Sequence, residues 1–401
     1  MEKRSRRKKH SGLPVVRESI QFFKNYRQWS NKTFVVVLLI VVAISMALTL
    51  LAQGIKGVPL WNRNAPAVSQ NSDSKGKNSV TEEETSARIM ANGDLLYHDI
   101  IYISAKKSDG TYDFHENFEY VKPWLKQADL VIGDFEGTVN KDHYLAGYPL
   151  FNAPGEVMDA IKDAGYQVLD LAHNHILDSQ IEGVVSTADA IEKAGMIPVG
   201  VYTHESRDKA PLVIKEVNGI KVAILAYSYG FNGIEQSISQ EDYNRYLSDL
   251  DEDKMKAEIE RAEKEADITI IMPQMGVEYQ IEPTEEQKKL YHKMIDWGAD
   301  IIFGGHPHVV EPAETVEKDG DKKLIIYSMG NFISNQRIET MQDVENAKWT
   351  ERGVLMDVTI KKKSGKTTIE TAQAHPSWVS RTPKGGYSPE GYPLYLYQTY
   401  I

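Results

Sequence analysis

The sequence predicts an α/β domain in which two sheets pack between helices, carried outside a single membrane-spanning helix. Three observations lead there. From Arg88 to Gly304, short apolar runs rich in β-branched residues alternate with amphipathic helical stretches. From Lys322 onward, "KKLIIYSMGNF" and "GVLMDVTIKKKSGKTTIETAQAH" alternate apolar and polar residues without long helices, the mark of antiparallel strands. Ahead of both, a run of 18 uncharged residues follows a basic block.

That basic block comes first in the chain. Residues 1–33 hold ten Lys and Arg against Glu2 and Glu18, a net of +8, so the remainder of a chain of formal charge −11 carries −19. Phe34 to Leu51 is long enough to cross a bilayer core as a helix, and its basic side stays cytoplasmic. A cleaved signal peptide would have a shorter apolar run and small residues at a cleavage site, which "LAQGIKG" matches poorly. A lipoprotein signal needs a cysteine, and the sequence has none. Residues 1–33 are therefore read as cytoplasmic and 34–52 as a signal anchor in the cell membrane. Residues 53–86, containing "QNSDSKGKNSVTEEETS", read as a flexible extracellular stalk, and 87–401 as the folded domain. No nucleic-acid partner is expected of this acidic remainder. Disulfides and thiolate metal sites are excluded by composition.

Within the domain, strands are predicted at Arg88–Asn92, Leu130–Asp134, Gln167–Ala172, Lys221–Tyr227, Ile268–Pro273 and Asp300–Gly304. Helices are predicted at Asn117–Lys126, Gly155–Ala164, Ile181–Ala194, Lys254–Glu265 and Thr284–Trp297, each bounded by Gly, Pro or Asp. "VIKEVNGIKVAILAYS" reads as a hairpin with Asn218-Gly219 in a type I′ turn.

Chemistry in α/β sheets gathers at the carboxyl ends of strands, where loops converge on one crevice. Five runs end there in groups suited to a metal: Asp94 of "ANGD"; Asp134 and Glu136 of "VIGDFEG"; His173, Asn174, His175 and Asp178 of "LDLAHNHILD"; Gln274 and Glu278 of "ITIIMPQMGVEY"; and His306 and His308 of "IIFGGHPHVVEP". Carboxylate oxygen with imidazole nitrogen is the donor set expected for Zn²⁺, Mn²⁺ or Fe. Each residue alone has a plainer reading. An Asp after a strand caps a helix or forms a turn, Asn174 accepts a left-handed turn, and Asp178 caps the following helix. Pro307 favours an extended backbone at His306. Extended, both imidazoles would point to one side. Five strand ends in agreement outweigh these separate readings.

The blocks "GD", "GDFEG", "LAHNHILDS", "GVEY", "GADIIFGGHPHVVEP" and "IIYSMGNFIS", in this order and spacing, resemble the CapA family of bacterial poly-γ-glutamate capsule synthesis proteins. The resemblance runs from about Arg88 to beyond Ser334, with "HPSWVSR" similar to the tail of that domain. It implies a four-layer α/β/β/α sandwich of metallophosphoesterase type and a divalent cofactor of one or two ions, Mn, Zn or Fe. Asp94 and Glu136 would be the acidic ligands, Asn174 and His306 would belong to one metal and His308 to the other, and Gln274 would occupy a further ligand position. His175, oriented by Asp178, would be the general acid or transition-state contact. Asp134, His173, Glu278 and Asn331 would line the substrate or support the ligands. The partners implied are other capsule synthesis and export subunits and an anionic polymer or phosphoester substrate.

This chain departs from the pattern at defined points. Asp94 is followed by Leu95 and Leu96 where the metallophosphoesterases have Asp-x-His, and no histidine follows until His98. Gln274-Met275-Gly276 stands where the family reads His-Trp-Gly, and a neutral amide oxygen binds such metals more weakly than imidazole. Two functions follow: a metal-dependent hydrolase outside the membrane, or a non-catalytic subunit that binds the polymer and holds the export complex together.

Overall fold

The computed structural model describes residues 84–401, so the expected cytoplasmic segment, the 34–52 anchor and nearly all of the stalk lie outside the described residues. Among the described residues no helix is long and apolar enough to cross a membrane. The first strand begins at Glu84, inside the stretch read as stalk.

The first sheet is built around β1 (Glu84–Leu95). Its parallel neighbours on one side are β2 (Leu130–Asp134), β3 (Val168–Asp170) and β4 (Ile197–Val199). On the second sheet, β5 (Val213–Val217) enters antiparallel to β6 (Ile220–Ser228), followed by parallel β7 (Ile268–Gln274) and β8 (Ile301–Phe303). β9 (Ala313–Lys318) and β10 (Asp321–Ile326) form a hairpin that closes this sheet in the order β5-β6-β7-β8-β10-β9. The short β11 (Asn331–Ile333) returns to the first sheet beside β1. Then β12 (Arg352–Lys363), β13 (Lys366–Tyr387) and β14 (Pro393–Tyr400) extend it antiparallel, giving the order β14-β13-β12-β1-β2-β3-β4.

Alternation along the strands sets the layers. Leu130 and Ile132 of β2 face the space between the sheets, with Val222, Ile224 and Ala226 of β6 opposite. Val131 points outward, onto a cluster that includes Val157 and Ile161 of α3 (Val157–Ala164) and Val184 and Ile191 of α4 (Gln180–Lys193). On the far side, Ala223, Leu225 and Tyr227 meet α6 (Glu252–Glu265) and α7 (Glu285–Trp297). The order is helix, sheet, sheet, helix. Strands buried on both faces must be apolar throughout, which is why they read as continuous runs. Smaller helices α1 (Asp99–Ala105), α2 (Lys122–Leu125) and α5 (Gln240–Tyr246) fill the edges.

Local chemistry explains the boundaries. Thr284 and Gln287 form a reciprocal capping box at the start of α7. The hairpin turns Asn218-Gly219, Asp319-Gly320 and Ser364-Gly365 all have positive φ at both positions, the requirement of a type I′ turn. Two expectations are corrected. The helix read at Asn117–Lys126 is a 3₁₀ turn, His115–Phe118, followed by the single-turn α2. Pro123 sits in the first turn of α2, where its missing N–H is harmless; a helix running through from Asn117 would need that N–H for the Glu119 carbonyl. The segment "KKLIIYSMGNF" is not wholly antiparallel, since β10 runs parallel to β8 and β11 parallel to β1.

The long β1–β12–β13 face carries a half-buried ionic link. Arg88 donates to Asp357 twice, Nε to Oδ1 at 2.9 Å and Nη2 to Oδ2 at 2.7 Å, while His375 Nε2 lies 3.1 Å from Oδ2. The Arg88 hydrogen bonds hold the Asp357 carboxyl below its ordinary pKa despite burial. A depressed carboxylate contributes stability above its unfolded pKa and loses it as pH falls through the folded value. Asp357→Ala should therefore lower unfolding free energy in urea by about 1–3 kcal/mol at pH 7. The gap between variant and native chain should close as the pH is taken below the ordinary carboxylate range. A pH-independent gap would show that packing, not the charge, is responsible.

Candidate metal centre

The carboxyl ends of the parallel strands from both sheets deliver the polar side chains to one place. A bulge interrupts β1 at Asp94, where the register against β2 and β11 shifts. Such a bulge re-aims a side chain. It is possible because Gly93 has no side chain: a Cβ there would lie 1.9 Å from the Gly330 carbonyl oxygen. Asp94 Oδ2 is 2.7 Å from His308 Nδ1, and Glu136 Oε2 is 3.7 Å from the same nitrogen. Ligand atoms of Asp94, Glu136 and His308 all lie within 4.8 Å of one another, and all three residues are buried.

A second set of oxygens surrounds Gly305. A Cβ built on Gly305 would stand 2.6 Å from Gln274 Oε1, 3.0 Å from Asp134 Oδ2 and 3.6 Å from Asp94 Oδ1. Only glycine leaves that space open. Gln274 is brought there because the last residue of β7 bridges to Gly305, whose N–H donates to the Pro273 carbonyl at 3.1 Å.

The histidines arrive differently from the expectation. His306 and His308 have φ of 95° and 58°, so the turn is left-handed and the backbone is not extended. Their ring centroids are 6.2 Å apart. Aromatic walls fix both: Tyr229 lies 4.5 Å from the His306 ring, and Tyr279 stacks on His308 at 6.0 Å while its N–H donates to the Pro307 carbonyl at 2.8 Å.

Electrostatics at the centre are one-sided. Asp94, Asp134, Glu136 and Asp170 are 0–2% exposed. Burial raises Asp134 well above its usual value, with Asp170 and Asp94 adding to it. Burial likewise raises Glu136 to about 7 and Asp170 to about 8. Burial opposes a charged His308, but the Glu136 and Asp94 carboxylates outweigh it and raise the ring to about 10. His306, buried without such a partner, falls to about 3.

Unpartnered buried atoms test whether these residues suit a metal. Asp94 Oδ1, Asp134 Oδ1, both Glu136 oxygens, Asn174 Oδ1 and His306 Nδ1 have no hydrogen-bond partner. Buried polar atoms are rarely left so. All are lone-pair donors, and a mixed carboxylate, amide and imidazole set fits a divalent metal ion.

Beside this set, His175 Nδ1 is 2.7 Å from Asp178 Oδ2, which also accepts from the Phe151 N–H at 2.6 Å. Burial depresses the His175 ring, but Asp178 and Glu136 more than offset this and its pKa lies above the ordinary value.

Three other sequence candidates sit apart. His173 is buried with its Nδ1 3.2 Å from the His175 N–H and its Nε2 3.4 Å from that of Gly137, so whichever nitrogen lacks the proton accepts from a neighbouring loop. Asn331 gives its amide to Gln336 and the Thr350 carbonyl, leaving only Oδ1 unpartnered. Glu278 is exposed at the rim and acts on Glu136 and His308 through its charge.

Sequence reasoning missed Asn232, Tyr229, Tyr279 and Asp170. Asn232, at φ 55°, accepts from Asn174 Nδ2 at 3.2 Å and sets its own amide 3.3 Å from His175 Nδ1. The "GFNG" segment carries an ordinary turn signal, and nothing in it announces a contact 57 residues away.

A family model described as bacterial capsule synthesis protein PGA_cap matches residues 88–336. The chain belongs to this family. It is 34% identical over 228 residues to a capsule biosynthesis protein CapA of Bacillus anthracis, covering 55% of this chain and 54% of that one. It is 31% identical over 223 residues to a PGA biosynthesis protein CapA of Bacillus subtilis strain 168, covering 55% and 57%. The chain thus spans about half the length of the curated relatives it matches. Among solved structures, the calcineurin-like phosphoesterase YfkN from Bacillus subtilis aligns with 73% of this chain and 91% of its own, at 16% identity and a TM-score of 0.44.

The Gly305 contacts generate a direct test. Gly305→Ala should fold, since its backbone needs no positive φ, yet push apart Gln274, Asp134 and Asp94. The purified variant should bind Mn²⁺ at least about tenfold more weakly than the native chain by calorimetry, a scale set by disturbing ligands and their supports. Native affinity would mean that this oxygen cradle takes no part in metal binding.

Proposed function

We propose that this protein acts in the biosynthesis or export of an anionic capsule polymer, anchored in the cell membrane with its domain outside, and that it carries a metal-dependent hydrolase site. The observation that carries the reading is the gathering of unpartnered buried donor atoms on Asp94, Asp134, Glu136, Asn174 and His306 beside the paired His175 and Asp178. Asp94, Glu136, Asn174, Gln274, His306 and His308 would hold one or two ions of Mn, Zn or Fe. Bound there, a divalent ion supplies Lewis-acid charge to a phosphoester or amide carbonyl.

The chain's own residues supply the rest. Asp178 holds the His175 ring through Nδ1, which leaves Nε2 to give a proton to a leaving oxygen or nitrogen. Phe151 meets the same ring edge-on at 4.8 Å and restricts its rotation. Tyr229 and Tyr279 bracket the two imidazoles and limit their movement. An acidic domain repels an anionic substrate in bulk, so attraction has to be local.

A non-catalytic role in binding the polymer within the export complex is the second reading. It is favoured by the neutral amide of Gln274 and by the buried Leu96, where related enzymes place imidazoles.

Metal content tests the centre. His306→Ala with His308→Ala should lose bound metal by elemental analysis while keeping the native far-UV circular dichroism. Equal metal in the double variant would remove the site as drawn. Turnover separates the two readings. With phosphodiester, phosphomonoester and γ-glutamyl substrates, His175→Ala should cut the rate at least about a hundredfold with metal still bound. A native chain that is inert while Gln274→His acquires activity would favour the binding role.

Topology has its own measurement. Protease added to intact protoplasts should cut within residues 70–83, ahead of β1, and release a soluble domain, whereas protection until lysis would reverse the proposed orientation.

A further inference from the structure

Residues 229–237 leave the second sheet after β6 and touch site residues delivered by both sheets. At one end the Tyr229 N–H donates to the Gln274 carbonyl at 3.1 Å, and the Tyr229 ring lies 4.5 Å from that of His306. At the other, Asn232 meets Asn174 and His175, and Ser237 Oγ donates to Gln180 Oε1 at 3.0 Å. We propose that Asn232 is a positioning residue of the centre: its side-chain oxygen holds the Asn174 amide in the one orientation that presents Oδ1 to a metal, and its side-chain N–H ties that orientation to the ring of His175. The proposal rests on the metal-centre reading above and adds a residue to it.

An asparagine ligand has a choice that a carboxylate lacks. Only its oxygen binds a cation, and the amide turned over would offer N–H groups to the same place. Asn174 Nδ2 donates to Asn232 Oδ1 at 3.2 Å, while Asn174 Oδ1, on the opposite branch of the planar amide, is buried without a partner. Reversing Asn174 would bring two acceptor oxygens face to face.

Reversal of Asn232 is opposed by His175. Asn232 Nδ2 lies 3.3 Å from His175 Nδ1 and 3.5 Å from Nε2. Near-equal distances to atoms on either side of Cε1 place this nitrogen over the ring face, not in its plane. His175 Nδ1 already faces Asp178 Oδ2 at 2.7 Å, so the π face is what remains for Asn232. An N–H suits that face, and a carbonyl oxygen does not. The order runs from Asp178 through His175 and Asn232 to Asn174. The ring that would move a proton and the amide that would hold an ion are therefore oriented together.

The turn accounts for the residue type at 232 but not for these contacts. Asn232 and Gly233 have φ of 55° and 79°, a pairing that Asn-Gly tolerates. Glycine would serve the same backbone at 232. Phe231 beside it is 1% exposed and meets the Tyr243 ring edge-on at 5.8 Å, which anchors the loop without the Asn232 side chain.

Asn232→Gly is the discriminating variant, since it keeps the turn and removes the acceptor. By calorimetry on the full-length chain, Asn232→Gly should bind Mn²⁺ at least about tenfold more weakly than the native chain, the scale of lost support to a ligand. Asn232→Asp keeps an acceptor for Asn174 Nδ2, and its affinity should stay within about threefold of native or rise. In an Asn174→Ala background, Asn232→Gly should cost less than about twofold, because the ligand it positions is already gone. Native affinity in Asn232→Gly would overturn the proposal. So would an equal loss in Asn232→Asp, or the full loss persisting in the Asn174→Ala background. A native chain that binds no Mn²⁺ would overturn the metal-centre reading itself, and the proposal with it.

Discussion

Concentrated negative charge away from water is the constraint on which this structure depends. Asp94, Asp134, Glu136 and Asp170 reach one buried place, with the His308 ring wedged against two of them. Removing carboxylates from water costs several kcal/mol per ion unless cations or protons compensate. The raised values of Asp134, Glu136 and Asp170 are the same cost seen as titration. Two stacked sheets are the means of meeting this constraint. Their parallel strands end at the same side, and the apolar layers keep the ends rigid and dry.

Backbone proximity is the second half of that device. A Cβ on Gly304 would stand 2.0 Å from the Tyr327 carbonyl oxygen, and one on Gly353 would stand 2.2 Å from that of Asn331. Main chains packed this closely leave no freedom for the loops they carry. Gln287 reinforces them from α7: its side-chain amide donates to the Met275 carbonyl and to Glu311, joining both loops that flank the histidines. The capping box of that helix therefore also positions the centre, since Thr284 holds the same Gln287 side chain.

What could be read beforehand followed how local the causes were. Leu130–Asp134 is a strand at the expected residues because a run buried on both faces announces itself. Asn218-Gly219 is a type I′ turn because few other pairs tolerate two positive φ values. The carboxylate and histidine positions were legible as residues at strand ends. Their geometry was not. The left-handed backbone at His306 and His308 depends on Gly305 meeting β7 and on Tyr279 gripping Pro307, both long-range contacts. Asn232, Tyr229 and Asp170 are ordinary turn or strand residues until the fold sets them beside the site. The helix expected across 117–126 failed for a local reason that apolar periodicity obscures, the proline within it.

The departures from the family pattern have a common physical direction. Leu96 is 1% exposed and packs as an apolar residue at a position where the sequence resemblance implies an imidazole, and Gln274 sets an amide at another such position. Asp134 places a carboxylate oxygen at the Gly305 cradle. One expected imidazole is thus absent, a second gives way to an amide oxygen, and a carboxylate oxygen stands beside it. Oxygen donors suit harder ions than imidazole nitrogens do. That carboxylate also deepens the buried charge that a bound cation must offset. Weaker individual ligands and stronger overall field therefore act against each other, and the field acts on every ion at the site while each lost imidazole weakens only the ion it would have touched.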